Sequence, residues 1–246
     1  MNTLYFDCPM GAAGDMLMGA LFELCPDPSG YLRSFAALQL PGVALTNEKT
    51  TSYDQSGTHM HLTVHGQEEL EHGHHHHHHH NTPLDIAHII SHLPVSDWVK
   101  ANAQAVYDRI ADAESKAHGM PVSQVHFHEV GALDAVGDVV GCCMLLEMIA
   151  PDHIYASPIA LGQGTLLCAH GELPVPAPAT ANILEGLPGY MGPVNGELCT
   201  PTGAALLAHF AEDFIARPDF AQYRIGRGIG SKDFGRANCV YAILEE

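Results

Sequence analysis

The feature that most constrains the fold is a segment at residues 134–149 that is apolar on nearly every side. A helix that is hydrophobic all round must be buried, so the segment predicts a central helix against which other elements pack. Gly137 and Gly141 lie one turn apart in it and permit a close neighbour. Because 46% of the 246 residues are hydrophobic, the chain can supply a core that encloses this helix.

Strand-like and helix-like segments alternate loosely around this central helix. Strands are predicted at 4–6, in two pieces within 43–65 joined by a turn at Ser56-Gly57, at 154–161 and at 239–244. Helices are predicted from Asp15, over 83–93, over 96–118, over 180–184 and after Thr200. The alternation favours an α/β fold, a mixed sheet with packed helices, and α+β is the alternative. We expect residues 1–246 to form a single domain.

The net charge and the cysteine pattern exclude several classes of protein. A net charge of -18 repels nucleic acid and anionic membranes and attracts cations. The seven cysteines are never spaced as C-x-x-C, which argues against a disulfide framework and a zinc ribbon. The start of the chain lacks the features of a signal peptide, and no apolar run reaches the roughly 20 residues that span a bilayer. We expect a cytoplasmic protein with no nucleic-acid or membrane partner, and homo-oligomer formation stays open.

A histidine tract interrupts the globular sequence at residues 72–80, where eight of nine residues are histidine. Neutral imidazole is a good ligand for nickel, zinc and copper, so His74, His76 and His78 are candidate metal ligands. The tract has no repeated apolar residue, which predicts a disordered, solvated loop over about 66–82. A purification tag is the alternative, but tags lie at chain ends. The tract therefore indicates metal binding without naming a reaction.

The turn after the first predicted strand has the form Asp7-x3-Gly11-x2-Gly14-Asp15. Its glycines allow a close backbone approach to a ligand, but two carboxylates fit a bound cation better than a phosphate. The pattern matches neither the dinucleotide fingerprint nor the phosphate-binding loop. Asp7 is a candidate metal ligand, and a purely structural turn is the alternative.

The segment H-F-H-E at 126–129 is the second candidate site. In an extended chain His126 and His128 point to the same face and can both reach one metal. Glu129 follows at once. Asp134 and Asp138, spaced i, i+4, then share one face at the start of the apolar helix, where the helix dipole favours carboxylates. Capping by Asp134 and ordinary polar bonding is the alternative.

Two more candidate sites lie further along the chain. His170 and Glu172 alternate on one side of an extended stretch that leads into prolines, which would hold both side chains rigidly. Four of the ten Lys and Arg fall at 224–236, interleaved with glycines. Cationic side chains and accessible backbone N–H groups are what a phosphate monoester needs. Local pairing with the surplus acidic residues is the alternative for this cationic stretch.

Taken together, these segments resemble the nickel-insertion proteins that make the nickel-pincer nucleotide cofactor of lactate racemase, the LarC family. The matching stretches are F-D-C at 6–8, G-D-M at 14–16, the histidine tract, V-H-F-H-E-V-G-A at 125–132, the run at 162–178, T-P-T-G-A-A at 200–205 and G-R-G-I-G-S-K-D at 226–233. They span nearly the whole chain in order.

The resemblance implies a reaction. Nickel(II) is the substrate metal, and it is inserted between the two sulfurs of pyridinium-3,5-bisthiocarboxylic acid mononucleotide and bonded to a ring carbon with loss of a proton. The family couples this step to hydrolysis of CTP, which requires a divalent cation. Such an activity is that of a nickel chelatase, a cyclometallase-type lyase.

The residue chemistry suggests a division of roles within that reaction. The candidate metal ligands are His126, His128, Asp7, Asp134, His74, His76 and His78. The candidate catalytic groups are Glu129, His170 and Glu172. The candidate contacts to the substrate phosphate are Arg224, Arg227, Gly228, Gly230 and Lys232.

Family members usually continue into a second domain where nucleotide binding is placed. Either the rest is encoded separately, as a C-terminal half, or the gene is interrupted, or the sequence is part of a longer one. We therefore expect CTP binding only with the missing domain, and turnover to need a second polypeptide. Two other functions fit the residues. One is a non-catalytic protein that stores or delivers nickel. The other is a divalent-metal hydrolase that uses the same histidines and carboxylates with a bound water.

Overall fold

The computed structural model describes residues 2–66, 81–127, 130–168, 171–192 and 194–245. The strands are β1 (Thr3–Asp7), β2 (Val43–Ser52), β3 (Gln55–Val64), β4 (His153–Ala156), β5 (Ile159–Ala160), β6 (Gly162–Gln163), β7 (Thr165–Cys168), β8 (Gly171–Pro174), β9 (Gly189–Tyr190), β10 (Gly196–Glu197), β11 (Asp213–Phe214), β12 (Tyr223–Ile229) and β13 (Cys239–Glu245). The helices are α1 (Gly14–Leu24), α2 (Pro28–Ala36), α3 (Pro83–His92), α4 (Asp97–His118), α5 (Leu133–Ile149), α6 (Pro178–Ile183) and α7 (Pro201–Phe210).

A seven-stranded mixed sheet organises the molecule, in the order β11-β4-β1-β13-β12-β3-β2. The pairs β1–β4, β4–β11 and β12–β3 are parallel, and the pairs β1–β13, β12–β13 and β2–β3 are antiparallel. Three two-stranded ribbons, from β5 to β10, lie in the segment between β4 and α7. The α/β prediction, a mixed sheet with packed helices, is confirmed.

The central buried helix predicted from the apolar segment is α5. Its residues from Val136 to Leu146 are buried except Asp138, and α5 packs against α1 and α4. Gly141 meets Met18 and the Tyr31 hydroxyl, and Gly137 meets Leu62 on β3. The two glycines therefore provide the close approach that their spacing indicated.

Helix α4 also follows its sequence pattern. Apolar residues recur every three or four positions along it, and those from Val99 to Ala113 are buried. The Ser96 side chain accepts a hydrogen bond from the Val99 N–H as an N-cap. Gly119 ends the helix in the left-handed conformation with φ 63°, which glycine adopts without strain.

The predicted hairpin turn at Ser56-Gly57 is wrong, because the turn between β2 and β3 lies at Tyr53 and Asp54. Ser52 pairs with Gln55, and Tyr53 takes the positive φ of 55°. Gly57 lies within β3, where a Cβ atom would be 2.6 Å from the Arg227 carbonyl oxygen. Its lack of a side chain thus serves a close approach by β12 and not a turn.

Two further elements differ from the sequence prediction. Helix α2, whose N-cap is Asp27, was not predicted. The predicted strand at 154–161 is divided, since β4 ends at Ala156 and β5 belongs to a separate ribbon. None of the helices in the described ranges has the length and apolarity that a bilayer crossing requires.

Candidate functional site

A groove of about 500 Å³ lies between the β2–β3 ribbon and the loop that follows β12. The groove is lined by Glu48, Thr50, Thr51, Ser52, Tyr53, His59, His61, Ile229, Gly230, Ser231, Lys232 and Asp233. Hydrogen bonds join its two walls: the Tyr53 hydroxyl donates to Asp233 at 2.9 Å, and the Asn238 N–H donates to the Ser52 hydroxyl at 3.1 Å. The groove is therefore a formed feature of the fold.

An imidazole pair on β3 forms part of one wall. His59 and His61 are two residues apart on a strand, so their side chains share a face, and their ring centroids lie 4.1 Å apart at 83°. The Nδ1 atom of His59 is 2.6 Å from the Ile229 carbonyl oxygen and 4.0 Å from an Asp15 carboxylate oxygen. The Nε2 atom of His61 is 3.3 Å from a Glu48 carboxylate oxygen.

A carboxylate pair lies next to the imidazoles, where α1 begins. The Asp15 N–H donates a hydrogen bond to the Asp138 carboxylate, and one Asp138 oxygen, Oδ1, is buried without a hydrogen-bond partner among the described residues. A Cβ atom on Gly14 would lie 2.5 Å from the other oxygen. The N-terminus of α1 and the first turns of α5 therefore meet at this pair.

Both carboxyls of the pair hold protons more strongly than a surface aspartate. Burial raises the pKa of Asp15 above its ordinary value, and His59 and Lys232 oppose that rise. Burial raises the pKa of Asp138 well above its ordinary value, and the carboxylates of Asp15 and Asp134 raise it further. Groups with such shifted pKa values are suited to proton transfer near neutral pH.

Backbone contact between α1 and β12 sets the position of Asp15. A Cβ atom on Gly228 would lie 1.7 Å from the Met16 carbonyl oxygen, and one on Gly226 would lie 2.0 Å from the Ala20 carbonyl oxygen. The helix thus lies directly on the strand. Helix α1 therefore covers these two glycines, which belong to the stretch that was predicted to contact a phosphate.

The structure separates the predicted phosphate contacts into two groups. Gly230 and Lys232 line the groove. The Arg224 guanidinium donates to the Leu24 carbonyl oxygen at 3.4 Å, at the far end of α1, and the Arg227 guanidinium lies 5.9 Å from the Tyr241 ring centroid. Neither arginine lines the groove.

Asp7 does not join Asp15, although the two residues flank one turn. Leu4 and Phe6 belong to the main core, and alternation along β1 places Asp7 on the opposite sheet face. Burial raises the pKa of Asp7, and Arg217 opposes the rise. Asp7 is not among the residues that line the groove.

The segment around His126 is anchored on both sides. Phe127 pairs with Asn81, the first described residue after the histidine tract. The Asn81 side chain donates to the Gly131 carbonyl oxygen at 2.6 Å, and the Tyr107 hydroxyl donates to the Val130 carbonyl oxygen at 3.2 Å. His126 itself is exposed, near the start of α3, where hydrogen bonds from Thr82 lower the pKa of Asp85 and His126 adds a smaller lowering.

The remaining candidates divide between described and undescribed residues. Glu172 lies exposed on β8 and accepts a hydrogen bond from the Thr165 hydroxyl at 2.7 Å, while Asp134 neighbours Asp138. Outside the described residues lie His128, Glu129, His170 and the tract residues His74, His76 and His78. Within the described part of the chain, no three His, Cys, Asp or Glu side chains are grouped to hold a metal.

Sequence reasoning missed the imidazole pair at His59 and His61. The signal was present as H-M-H within a predicted strand, because alternate residues of a strand share a face.

Comparison with known proteins places the chain among named relatives. A family model described as "Nickel insertion protein" matches residues 4–246. Proteins named pyridinium-3,5-bisthiocarboxylic acid mononucleotide nickel insertion protein are 40% identical in Clostridium kluyveri, over 100% of this chain and 62% of the relative, and 39% identical in Acetivibrio thermocellus, over 99% and 60%. A protein of the same name in Desulfitobacterium hafniense is 40% identical over 100% of this chain and 59% of its own length. The chain thus spans about three fifths of these relatives, and no solved structure matches it.

Proposed function

Because the chain belongs to the nickel insertion protein family, we propose that it takes part in inserting nickel(II) into pyridinium-3,5-bisthiocarboxylic acid mononucleotide, the compound in its relatives' names. The observation that carries this proposal is that an imidazole pair and Lys232 line one groove, with Asp15 of a half-buried carboxylate pair 4.0 Å from His59. The imidazoles can serve as ligands for the metal, a carboxylate can accept the proton, and Lys232 can contact the phosphate.

The carboxylate pair can accept the proton that the reaction releases. Nickel(II) replaces one ring hydrogen of the pyridinium, so the C–H electron pair becomes the carbon–nickel bond and the proton passes to a base. Asp15 and Asp138 have raised pKa values, so a proton is retained on them more readily than on a surface carboxylate. We add them as candidate acceptors beside Glu129, His170 and Glu172.

The phosphate of the mononucleotide is proposed to lie at the loop after β12. Lys232 is the only Lys or Arg among the residues that line the groove, and the backbone of Gly230 and Ser231 flanks it. Lys232 also stands close enough to Asp15 to favour its ionised form. A phosphate there would hold the pyridinium ring near the carboxylates.

The groove and strand β12 do not fit a nucleoside triphosphate. The glycines of β12 face α1 at Gly226 and Gly228, and one lysine cannot balance three phosphates. We therefore assign CTP and its divalent cation to no residue of this chain, and their part in the reaction is a separate arm of the test.

The test incubates the chain with Ni²⁺ and the mononucleotide, with and without CTP and Mg²⁺. Mass spectrometry should detect a product that has gained one nickel and lost a ring proton. A parallel reaction adds the remaining part of the Clostridium kluyveri relative, so that a need for a second polypeptide is measured directly. Asp138→Asn should lower product formation, and the exposed Asp112→Asn is the matched control.

A second function, storage or delivery of nickel without catalysis, is favoured by the histidine tract. In the same assay it predicts nickel bound to the chain and no product in any reaction, including the one with the added polypeptide. That outcome would replace the insertion proposal.

A further inference from the structure

The imidazole pair on β3 can supply two nitrogens to one metal ion. His59 and His61 have ring centroids only 4.1 Å apart, so rotation of the His61 side chain can direct its nitrogen at an ion beside His59 while His59 keeps its contact with Ile229. Both side chains are largely buried, at 12% and 27% exposed, yet both line the groove. An ion bound there would be reached from the groove.

The contact of His59 with Ile229 fixes which nitrogen is available to a metal. A carbonyl oxygen only accepts hydrogen bonds, so the Nδ1 atom of His59, 2.6 Å from the Ile229 oxygen, carries the hydrogen in the neutral ring. The Nε2 atom then keeps its lone pair. A backbone carbonyl on the second ring nitrogen is the usual arrangement for a metal-ligating histidine.

Carboxylates surround the pair on both sides. Glu48 lies 3.3 Å from the Nε2 atom of His61 and is 67% exposed at the rim, where it can orient the ring or supply an oxygen ligand. Asp15 lies 4.0 Å from the Nδ1 atom of His59. In a chain with a net charge of -18, this local negative charge concentrates divalent cations.

The site is incomplete, which suits a metal that has to leave. Among the described residues no third ligand converges with the pair, so an ion held by two imidazoles keeps open positions, whereas four protein ligands would close the site. The two sulfurs of the mononucleotide can enter those positions before the imidazoles depart. The carboxylate pair lies next to His59, so metal transfer and proton removal would occur side by side.

We propose that His59 and His61 form a nickel(II) site on the wall of the groove, from which the ion passes to the sulfur ligands of the substrate. The identity of the acceptor depends on the function proposed above. The two-imidazole site itself does not, since it is defined by the ring geometry and by the Ile229 contact.

The test measures Ni²⁺ binding by titration calorimetry in a background variant of the 246-residue chain in which the histidines of 72–80 are replaced by serine. This background should bind about one Ni²⁺, and X-ray absorption should show two imidazole nitrogens. The double variant His59→Ala/His61→Ala should lose at least about tenfold in affinity. Thermal unfolding of each variant establishes that it is folded.

A matched control is provided by another close histidine pair. His88 and His92, one turn apart on α3, have ring centroids 4.2 Å apart and are exposed. The double variant His88→Ala/His92→Ala should change the affinity less than about twofold. Unchanged Ni²⁺ affinity in the folded His59/His61 variant, or no Ni²⁺ bound by the background, would overturn the proposal.

The product assay separates failure of this site from failure of the proposed function. The His59/His61 variant should form product more slowly at limiting Ni²⁺ and approach the parent rate at saturating Ni²⁺. If no variant or parent chain forms product while the affinity difference persists, the insertion proposal fails and the nickel site stands. If product forms at equal rates at every Ni²⁺ concentration, the site proposal fails and insertion stands.

Discussion

The backbone N–H of Asp15 donates a hydrogen bond to the carboxylate of Asp138, so the first turns of α1 and α5 are joined beside the groove. Neither helix could carry this pair alone, because the two residues are far apart in sequence. The contact places two carboxyls where burial raises the pKa of each. Such a pair lowers the stability of the fold, because an ionised carboxylate is costly to bury. A role in the chemistry of the site therefore explains the pair better than a role in folding.

Asp138→Asn should stabilise the chain at neutral pH. The folded pKa of Asp138 is raised above the unfolded value, so its contribution to stability is fully present below pH 4 and is lost as the pH rises toward the folded pKa. Asparagine does not titrate and can still accept the Asp15 N–H. We expect a gain of about 1 kcal/mol at pH 7 and little difference at pH 4, measured by urea unfolding. Equal stability at both pH values would contradict the assignment, and Asp112→Asn is the surface control.

Gly228→Ala should destabilise the fold strongly. The added Cβ atom would meet the Met16 carbonyl oxygen at 1.7 Å, and backbone cannot give way as a flexible side chain can, so we expect a loss of at least about 3 kcal/mol. Gly189→Ala is the matched control, because its nearest neighbour is the end of the Leu161 side chain at 3.1 Å. Chemical unfolding midpoints compare the two. A mild effect at Gly228 would mean that α1 does not lie on β12 as described.

Tyr107→Phe should cost about 1 kcal/mol of unfolding free energy. The Tyr107 hydroxyl is buried and donates to the Val130 carbonyl oxygen at 3.2 Å, so its removal leaves that acceptor without the bond. Tyr31→Phe is the control, because the Tyr31 hydroxyl is buried without a partner among the described residues, and its loss should be neutral or slightly stabilising. Equal effects of the two substitutions would show that the Val130 contact contributes nothing.

Lys232→Met should weaken substrate binding without changing nickel binding. Loss of one charged hydrogen bond to phosphate corresponds to about tenfold in affinity, and the difference from the parent should shrink as salt screens the charge. The Michaelis constant for the mononucleotide and calorimetric Ni²⁺ affinity are the two measurements. Lys100→Met on α4 serves as control. An unchanged Michaelis constant would move the phosphate away from the loop after β12.

The sequence predicts secondary structure most accurately where a residue pattern has a single physical interpretation. The all-apolar run of α5 and the one-sided stripe of α4 left only burial as an explanation, and both helices lie where they were expected. The turn predicted at Gly57 is wrong because glycine is equally suited to turns and to close backbone contacts. Only the neighbouring backbone at Arg227, from a distant part of the chain, decides between the two.

The site was predicted in pieces, and its assembly could not be read from spacing. Asp15 and Asp138 belong to separate motifs of the sequence, and the packing of α1 against α5 brings them together. The cationic glycine-rich stretch predicts one phosphate site, but two of its glycines accommodate α1 and only its end reaches the groove. The alternation of His59 and His61 predicts that they share a face of β3, but it does not predict that this face lines a groove.

The seating of α1 on bare backbone has a mechanical consequence. Where side chains separate a helix from a strand, rotamer changes absorb small displacements. At Gly19, Gly226 and Gly228 there are no side chains to do so. A shift of the loop after β12, which contains Gly230 and Lys232, would therefore displace α1 as a rigid body. A ligand that binds the loop would in this way also change the position of the Asp15 carboxylate.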